Sequence, residues 1–224
     1  MSKIRARVFL DYLRRSKLLT DSELRRSLES LQAKHSGKLP SETQVIVDYM
    51  IEEGVLTQWQ CDKLLQKKYK GFFLGKYKLL GHIGSGGMSS VYLAEHTLMR
   101  RSRAIKVLPR SRVNDSSYLE RFHREAQATA ALDHPHIVRA YDVDNQGDTH
   151  YLVMEYVSGS DLASIVEEQG ALGFEDIARY VVHAARGLQH AHEAGMIHRD
   201  VKPANLLVDE NGPAKILDMG LALI

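Results

Sequence analysis

Apolar residues recur at helical spacing over the first 75 positions, with few glycines among them and no alternating run that would read as a strand. The pattern predicts four short helices in two helix–turn–helix pairs, split by the loop His35-Ser36-Gly37-Lys38-Leu39-Pro40. A faint repeat links the pairs: Asp11-Tyr12-Leu13 recurs as Asp48-Tyr49-Met50, and Leu18-Leu19-Thr20 as Val55-Leu56-Thr57, both at an offset of 37. In each copy the threonine opens a capping box, Thr20-x-x-Glu23 and Thr57-x-x-Gln60, where side chain and backbone satisfy each other's free donors. Ser41-x-x-Gln44 reads as a third such box.

From Tyr77 the period changes. Strands are expected over 77–83 and 90–96, flanking a glycine-rich turn, and over 103–108. A helix should start near Ser117, with Ser117-x-x-Glu120 as its capping box and Leu119, Phe122, Ala126 and Ala130 on one face. Two strands near 137–143 and 150–157 flank the turn residues Asn145-Gln146-Gly147-Asp148. A long helix follows with the stripe Ile177, Val181, Ala184, Leu188 and Ala191, and Gly195 suits its left-handed stop. A last hairpin runs from Leu206 to Leu217 around Asn211-Gly212. Five strands with one helix, then mostly helices, make an α+β, two-lobed plan. The expected domains are a helical module, 1–75, and a second domain, 77–224.

Composition narrows the class. With 44% hydrophobic and 26% charged residues, this is a globular chain, neither disordered nor fibrous. A single cysteine, Cys61, rules out a disulfide framework and a Cys-based zinc cluster. No apolar run is long enough to span a membrane, so a cytoplasmic location is expected. The net charge of +2 is too small to argue for nucleic acid. Residues 1–75 hold 14 of the 30 basic residues against 9 of the 28 acidic ones, so the surplus is local. For this module two readings stay open: a docking or regulatory surface for a partner, or an extension that only packs on its neighbour.

The candidate chemistry begins with Gly84-Ser85-Gly86-Gly87-Met88-Ser89. Because it lies between two strands, it argues against a dinucleotide fold, and it lacks the Gly-Lys-Ser/Thr ending of a P-loop. Glycines there would let backbone N–H groups approach phosphates closely. Four further motifs follow in order: Ala104-Ile105-Lys106 on a strand, Glu125 on the next helix, His198-Arg199-Asp200-Val201-Lys202-Pro203-Ala204-Asn205 after the long helix, and Asp218-Met219-Gly220 after the last hairpin. In order and spacing this set resembles the protein kinases, specifically bacterial serine/threonine kinases of eukaryotic (Hanks) type, over Tyr77 to Ile224.

The resemblance implies a protein-kinase-like fold, ATP and Mg²⁺ as cofactors, and a Ser/Thr-bearing protein as substrate. Phosphoryl transfer needs in-line positioning and neutralisation of spread negative charge more than covalent help. By resemblance Lys106 holds the α- and β-phosphates and Glu125 orients it. Asp200 accepts or orients the substrate hydroxyl proton, and Lys202 steadies the transferred phosphate in the Ser/Thr pattern. Asn205 and Asp218 supply hard oxygen ligands of the kind Mg²⁺ prefers. Ile83, Gly84, Ser85, Gly86, Gly87 and Met88 would cover the nucleotide. Val91 and Ala104 would roof the adenine pocket, Leu207 would floor it, Met154 would be its gatekeeper, and Glu155-Tyr156-Val157 its hinge. His198 would be structural, and Arg199 would mark the subclass switched by phosphorylation. His134-Pro135-His136 is expected to be a turn rather than a metal site.

The pattern has departures. Met219 stands where kinases usually have Phe, and Ser89 replaces the third loop glycine. The kinase-like portion covers 77–224 against roughly 250 residues for a whole catalytic domain of this type. The chain is therefore expected to be an amino-terminal fragment of an active kinase, with weak or no transfer by the 224 residues alone. The alternative is a truncated nucleotide-binding or regulatory module without turnover.

Overall fold

Four apolar stripes in the first part of the sequence become four helices in the computed structural model, which describes residues 4–86, 89–108 and 116–217, apart from the side chains of Ser116, Arg121 and Glu125. These helices are α1 (Ala6–Ser16), α2 (Asp21–Lys34), α3 (Thr43–Glu52) and α4 (Gln58–Leu65). They belong to the first of two units, residues 1–83 with 92–101; the second comprises residues 84–91 and 102–224.

In the first unit Phe9, Leu13, Leu31, Ile46, Met50, Cys61, Leu64 and Phe72 form one core. The repeat is structural: Leu13 and Met50 are both enclosed there, and Thr20 and Thr57 both cap a helix through complete capping boxes. Ser41 does not cap. Because α3 starts at Thr43, Glu42 takes the cap position without a side-chain bond, and Gln44 donates to Asp48 Oδ1 at 2.7 Å instead. Burial, helped by Asp62 and Asp48, pushes the Cys61 thiol up to about 12.

The helices lead into the expected strands through one that the period alone does not reveal. β1 (Phe73–Leu74) is too short to show alternation; it forms because β2 (Tyr77–Gly86) offers an antiparallel ladder, Phe73 opposite Lys78 and Leu74 opposite Tyr77. β3 (Ser89–His96) follows β2. Equivalent turns of both helix pairs bond to β2. Lys78 Nζ donates to Leu18 O at 3.1 Å, while Thr57 Oγ1 donates to Leu80 O and Gln60 Nε2 to Leu79 O at 2.7 Å. Trp59 sets its edge against Phe72 and Tyr92, at centroid distances of 5.9 and 5.8 Å.

The second unit carries β4 (Ser102–Val107), α5 (Ser116–Ala130), β5 (Ala140–Gln146) and β6 (Thr149–Glu155). Strand β6 lies between β4 and β5, antiparallel to both, with Ala104 opposite Met154 and Lys106 opposite Leu152. α5 begins one residue before Ser117, which therefore lies in its first turn and not at the cap. Phe122 and Ala126 are buried as expected, but Ala130 is exposed. At this end the helix turns Ala128 toward Leu132 and Ile137 of a neighbouring apolar cluster.

The remaining elements are β7 (Gly159–Asp161), α6 (Leu162–Gln169), α7 (Phe174–Glu193), a 3₁₀ turn (Pro203–Asn205), β8 (Leu206–Asp209) and β9 (Ala214–Ile216). Strands β7, β8 and β9 form an antiparallel sheet in that order. Only the carboxyl-terminal half of the expected α7 stripe is covered: Ala184 and Ala191 are buried, whereas Ile177 and Val181 are exposed. Gly187 lets α7 approach the preceding turn, since a Cβ there would lie 2.9 Å from His136 O. Gly195 ends the helix at φ +79, as its position suggests. The expected α+β plan is present. No helix among the described residues is long and apolar enough to cross a membrane.

Candidate active site

β4 is buried on both faces at its centre, so Ala104, Ile105 and Lys106 are all enclosed, Lys106 to 9% exposure. An ammonium in such a strand needs charged or polar partners to offset its lost hydration. The expected partner, Glu125, lies on α5, with its side chain outside the described residues. Around this strand Ala104, Met154 and Val157 share one apolar cluster, against which Val91 and Leu207 pack. The residues expected to roof and floor a pocket are thus brought together within the second unit.

Gly84 lies against Val91, since a Cβ on it would come 4.0 Å from that of Val91. Ser85 is exposed and Gly86 ends β2, whereas Gly87 and Met88 lie outside the described residues. Ile83 is exposed at the end of the first unit's share of β2. Glu155 closes β6 with its side chain fixed twice: Oε1 accepts from Lys215 Nζ at 2.6 Å and Oε2 from the Arg139 N–H at 3.3 Å. The Lys215 pairing has no marker in the sequence, because the two residues are 60 positions apart.

The loop after α7 is built on a buried histidine. His198 is 1% exposed, and both ring nitrogens are used. Nδ1 accepts from the Asp200 N–H at 3.2 Å, so Nε2 is the donor to Leu217 O at 2.9 Å. Between them Arg199 adopts φ +65, a left-handed conformation uncommon for a residue with a Cβ. This kink turns the chain so that Lys202 Nζ donates to Asp200 Oδ2 at 2.7 Å. Asn205 Nδ2 donates to Asp200 O at 2.8 Å and to Oδ2 at 3.1 Å. The Lys202 hydrogen bond, with help from Asn205, holds the Asp200 carboxyl below the usual carboxylate range. Asp200 is thereby an oriented, ionised acceptor.

The residue before Asp218 is tied to this loop by both of its backbone groups. Leu217 N donates to Asn205 O at 2.8 Å, and Leu217 O is the acceptor for His198. Side-chain patterns cannot reveal such a tether, because it is made by main-chain atoms. Asp218 and Met219 themselves lie outside the described residues. Among the described residues no group of three or more His, Cys, Asp or Glu could hold a metal ion. His134-Pro135-His136 does lie in a turn.

Residues 77–224 match the family described as protein kinase domain. Among curated proteins, the chain is 41% identical over 148 residues to the serine/threonine-protein kinase PrkC of Bacillus subtilis (strain 168), covering 66% of this chain and 23% of that protein. It is 44% identical over 153 residues to a probable serine/threonine-protein kinase of Clostridium perfringens (strain 13 / Type A), covering 68% and 22%. A third relative is the serine/threonine-protein kinase PknB of Mycobacterium leprae (strain TN), at 41% over 151 residues, 66% of this chain and 24% of that protein. The chain spans under a quarter of the length of these relatives.

Proposed function

The chain belongs to the protein kinase family, and from that premise we propose that it takes part in ATP-dependent phosphoryl transfer to serine or threonine hydroxyls of proteins. The observation that carries this reading is the caging of Asp200. Lys202 and Asn205 both bond its Oδ2, which leaves Oδ1 to accept the hydrogen of an incoming hydroxyl. Lys106 is read as the phosphate-binding cation and Glu125 as its orienting partner. Gly84 to Met88, with Ile83 before them, are read as the cover over the phosphates. The apolar cluster of Val91, Ala104, Met154, Val157 and Leu207 suits an adenine ring, with Glu155 at the hinge.

The residues also suit a divalent cation. Asn205 spends its amide nitrogen on Asp200, so its carbonyl oxygen is the atom it can offer. Asp218 follows directly on the tethered Leu217. Two hard oxygens of this type fit Mg²⁺, which would neutralise charge on the phosphates when bound. Of the two expectations for residues 1–75, packing on neighbouring strands is the one supported by the bonds from Thr57 and Gln60 to β2. The reading places the chain in the cytoplasm, where ATP is available.

The test is incorporation of radiolabel from ATP by a chain that carries a whole catalytic domain of this family. Wild type is expected to label itself, and Asp200→Asn to lose about 10²–10⁴-fold of the rate. Equal labelling by both would refute the assignment.

A further inference from the structure

Four histidines outside the candidate site meet where α7, the 134–136 turn and β9 come together. His136 and His183 stack with ring centroids 4.1 Å apart and planes 13° from parallel. His134 stacks on His190 at 5.2 Å and 23°, and tilts toward His136 at 5.4 Å. The close approach at Gly187 makes this grouping possible.

The stacked pair grips one residue of β9 by both of its backbone groups. His136 Nδ1 and Ala214 O are 3.0 Å apart, and Ala214 N donates to His183 Nδ1 at 3.1 Å. A carbonyl can only accept, so His136 carries its proton on Nδ1; an N–H can only donate, so His183 must leave its Nδ1 bare. The grip continues along the chain. Ile216 N donates to His136 O at 2.8 Å and Val138 N to Ile216 O at 2.9 Å, and the next residue is Leu217, tethered to Asn205 and His198.

We propose that His136 and His183 are positioning residues, which clamp Ala214 so that β9 delivers Leu217 to the catalytic loop, and that a proton on His183 Nδ1 opens the clamp. The proton would occupy the lone pair that accepts from Ala214, and would place a cation on a ring stacked at 4.1 Å. Burial, His136, Arg179 and Arg186 all hold the His183 imidazole below its ordinary value of 6.5. His134 is lowered by burial, His136, His190 and Arg186. Arg179 is itself paired with Asp176 on α7, Asp133 with Arg139 beside the turn, and Lys215 of β9 with Glu155, while Glu175 and Glu193 are the remaining carboxylates of α7. Because the folded value is depressed, the clamp is complete above the ordinary histidine value and is lost as pH falls through the folded value.

The link to catalysis rests on the kinase reading, but the clamp can be tested without nucleotide. Amide hydrogen exchange of Ala214 is measured by NMR on the 224-residue chain at about pH 7.5 and about pH 5.5, as protection relative to the free peptide rate. Wild-type protection at Ala214 is expected to fall about tenfold at the lower pH, while Leu152 in β6 stays protected. His183→Asn keeps an acceptor near the Nδ1 position but cannot titrate there, so its Ala214 protection should not change with pH. His183→Leu should be weakly protected at both pH values. Protection in wild type that ignores pH, or an equal fall in His183→Asn, would overturn the proposal. Failure of the kinase reading would show instead in the labelling experiment.

Discussion

Between α1 and α4, Phe9, Leu13, Ile46 and Leu64 are enclosed by one another, and their positions are set by apolar packing. From His198 to Asn205 the arrangement is reversed: His198 is the only buried residue, and shape is set by hydrogen bonds to His198, Asp200 and Leu217. The helical core draws on burial, which is worth kilocalories per side chain and is indifferent to small changes in angle. The loop draws on directional bonds, each worth little net stability, that fix where one carboxylate points. Substitutions should therefore separate the two, with stability lost in one region and activity in the other.

The sharpest separation is Asp200→Asn. It should lower transfer by about 10²–10⁴-fold while leaving the unfolding free energy essentially unchanged, because asparagine still accepts from Lys202. A large loss of stability in that variant would break the contrast. The converse is Phe9→Ala, expected to cost about 3–5 kcal/mol. The single tryptophan, Trp59, sits in the first unit, so its fluorescence during urea unfolding reports on that unit. A midpoint unmoved by Phe9→Ala would mean that packing does not set the stability there.

Smaller effects compare the two copies of the repeat. Thr20→Ala should cost about 1 kcal/mol, the ordinary value of an amino-terminal cap. Thr57→Ala should cost more, about 2 kcal/mol, since its hydroxyl also bonds Leu80 O. Equal losses in the same titration would show that the bond to β2 adds nothing. The smallest effect belongs to Glu23, whose carboxyl is held below its ordinary 4.5 chiefly by the Thr20 backbone N–H. Its contribution is present above that value and fades as pH falls through the lower folded value. Glu23→Gln should flatten that part of the acid titration, and an unchanged slope would exclude the box as its source.

Much of this was legible in the sequence, for physical reasons. Thr20 and Thr57 could be read as caps because the box needs two side chains at fixed spacing, and both form. Ser41 has the same spacing, but a start at Thr43 removes its role. The loop motif identified Asp200, Lys202 and Asn205, and the structure brings those three together. The Leu217 tether and the grip on Ala214 were not legible, since main-chain atoms carry no sequence label. Periodicity placed Ile177 and Val181 on an apolar stripe but could not say whether anything covers them.

Cys61 offers an experimental convenience. A thiol enclosed in the core of the first unit, with its ionisation displaced to about 12, presents almost no thiolate to an alkylating reagent at neutral pH. A cysteine introduced on any exposed helix face would then take a dye alone, with no need to remove the native one. Once the helices open, Cys61 becomes accessible, so its rate of modification is a clock for the opening of that unit.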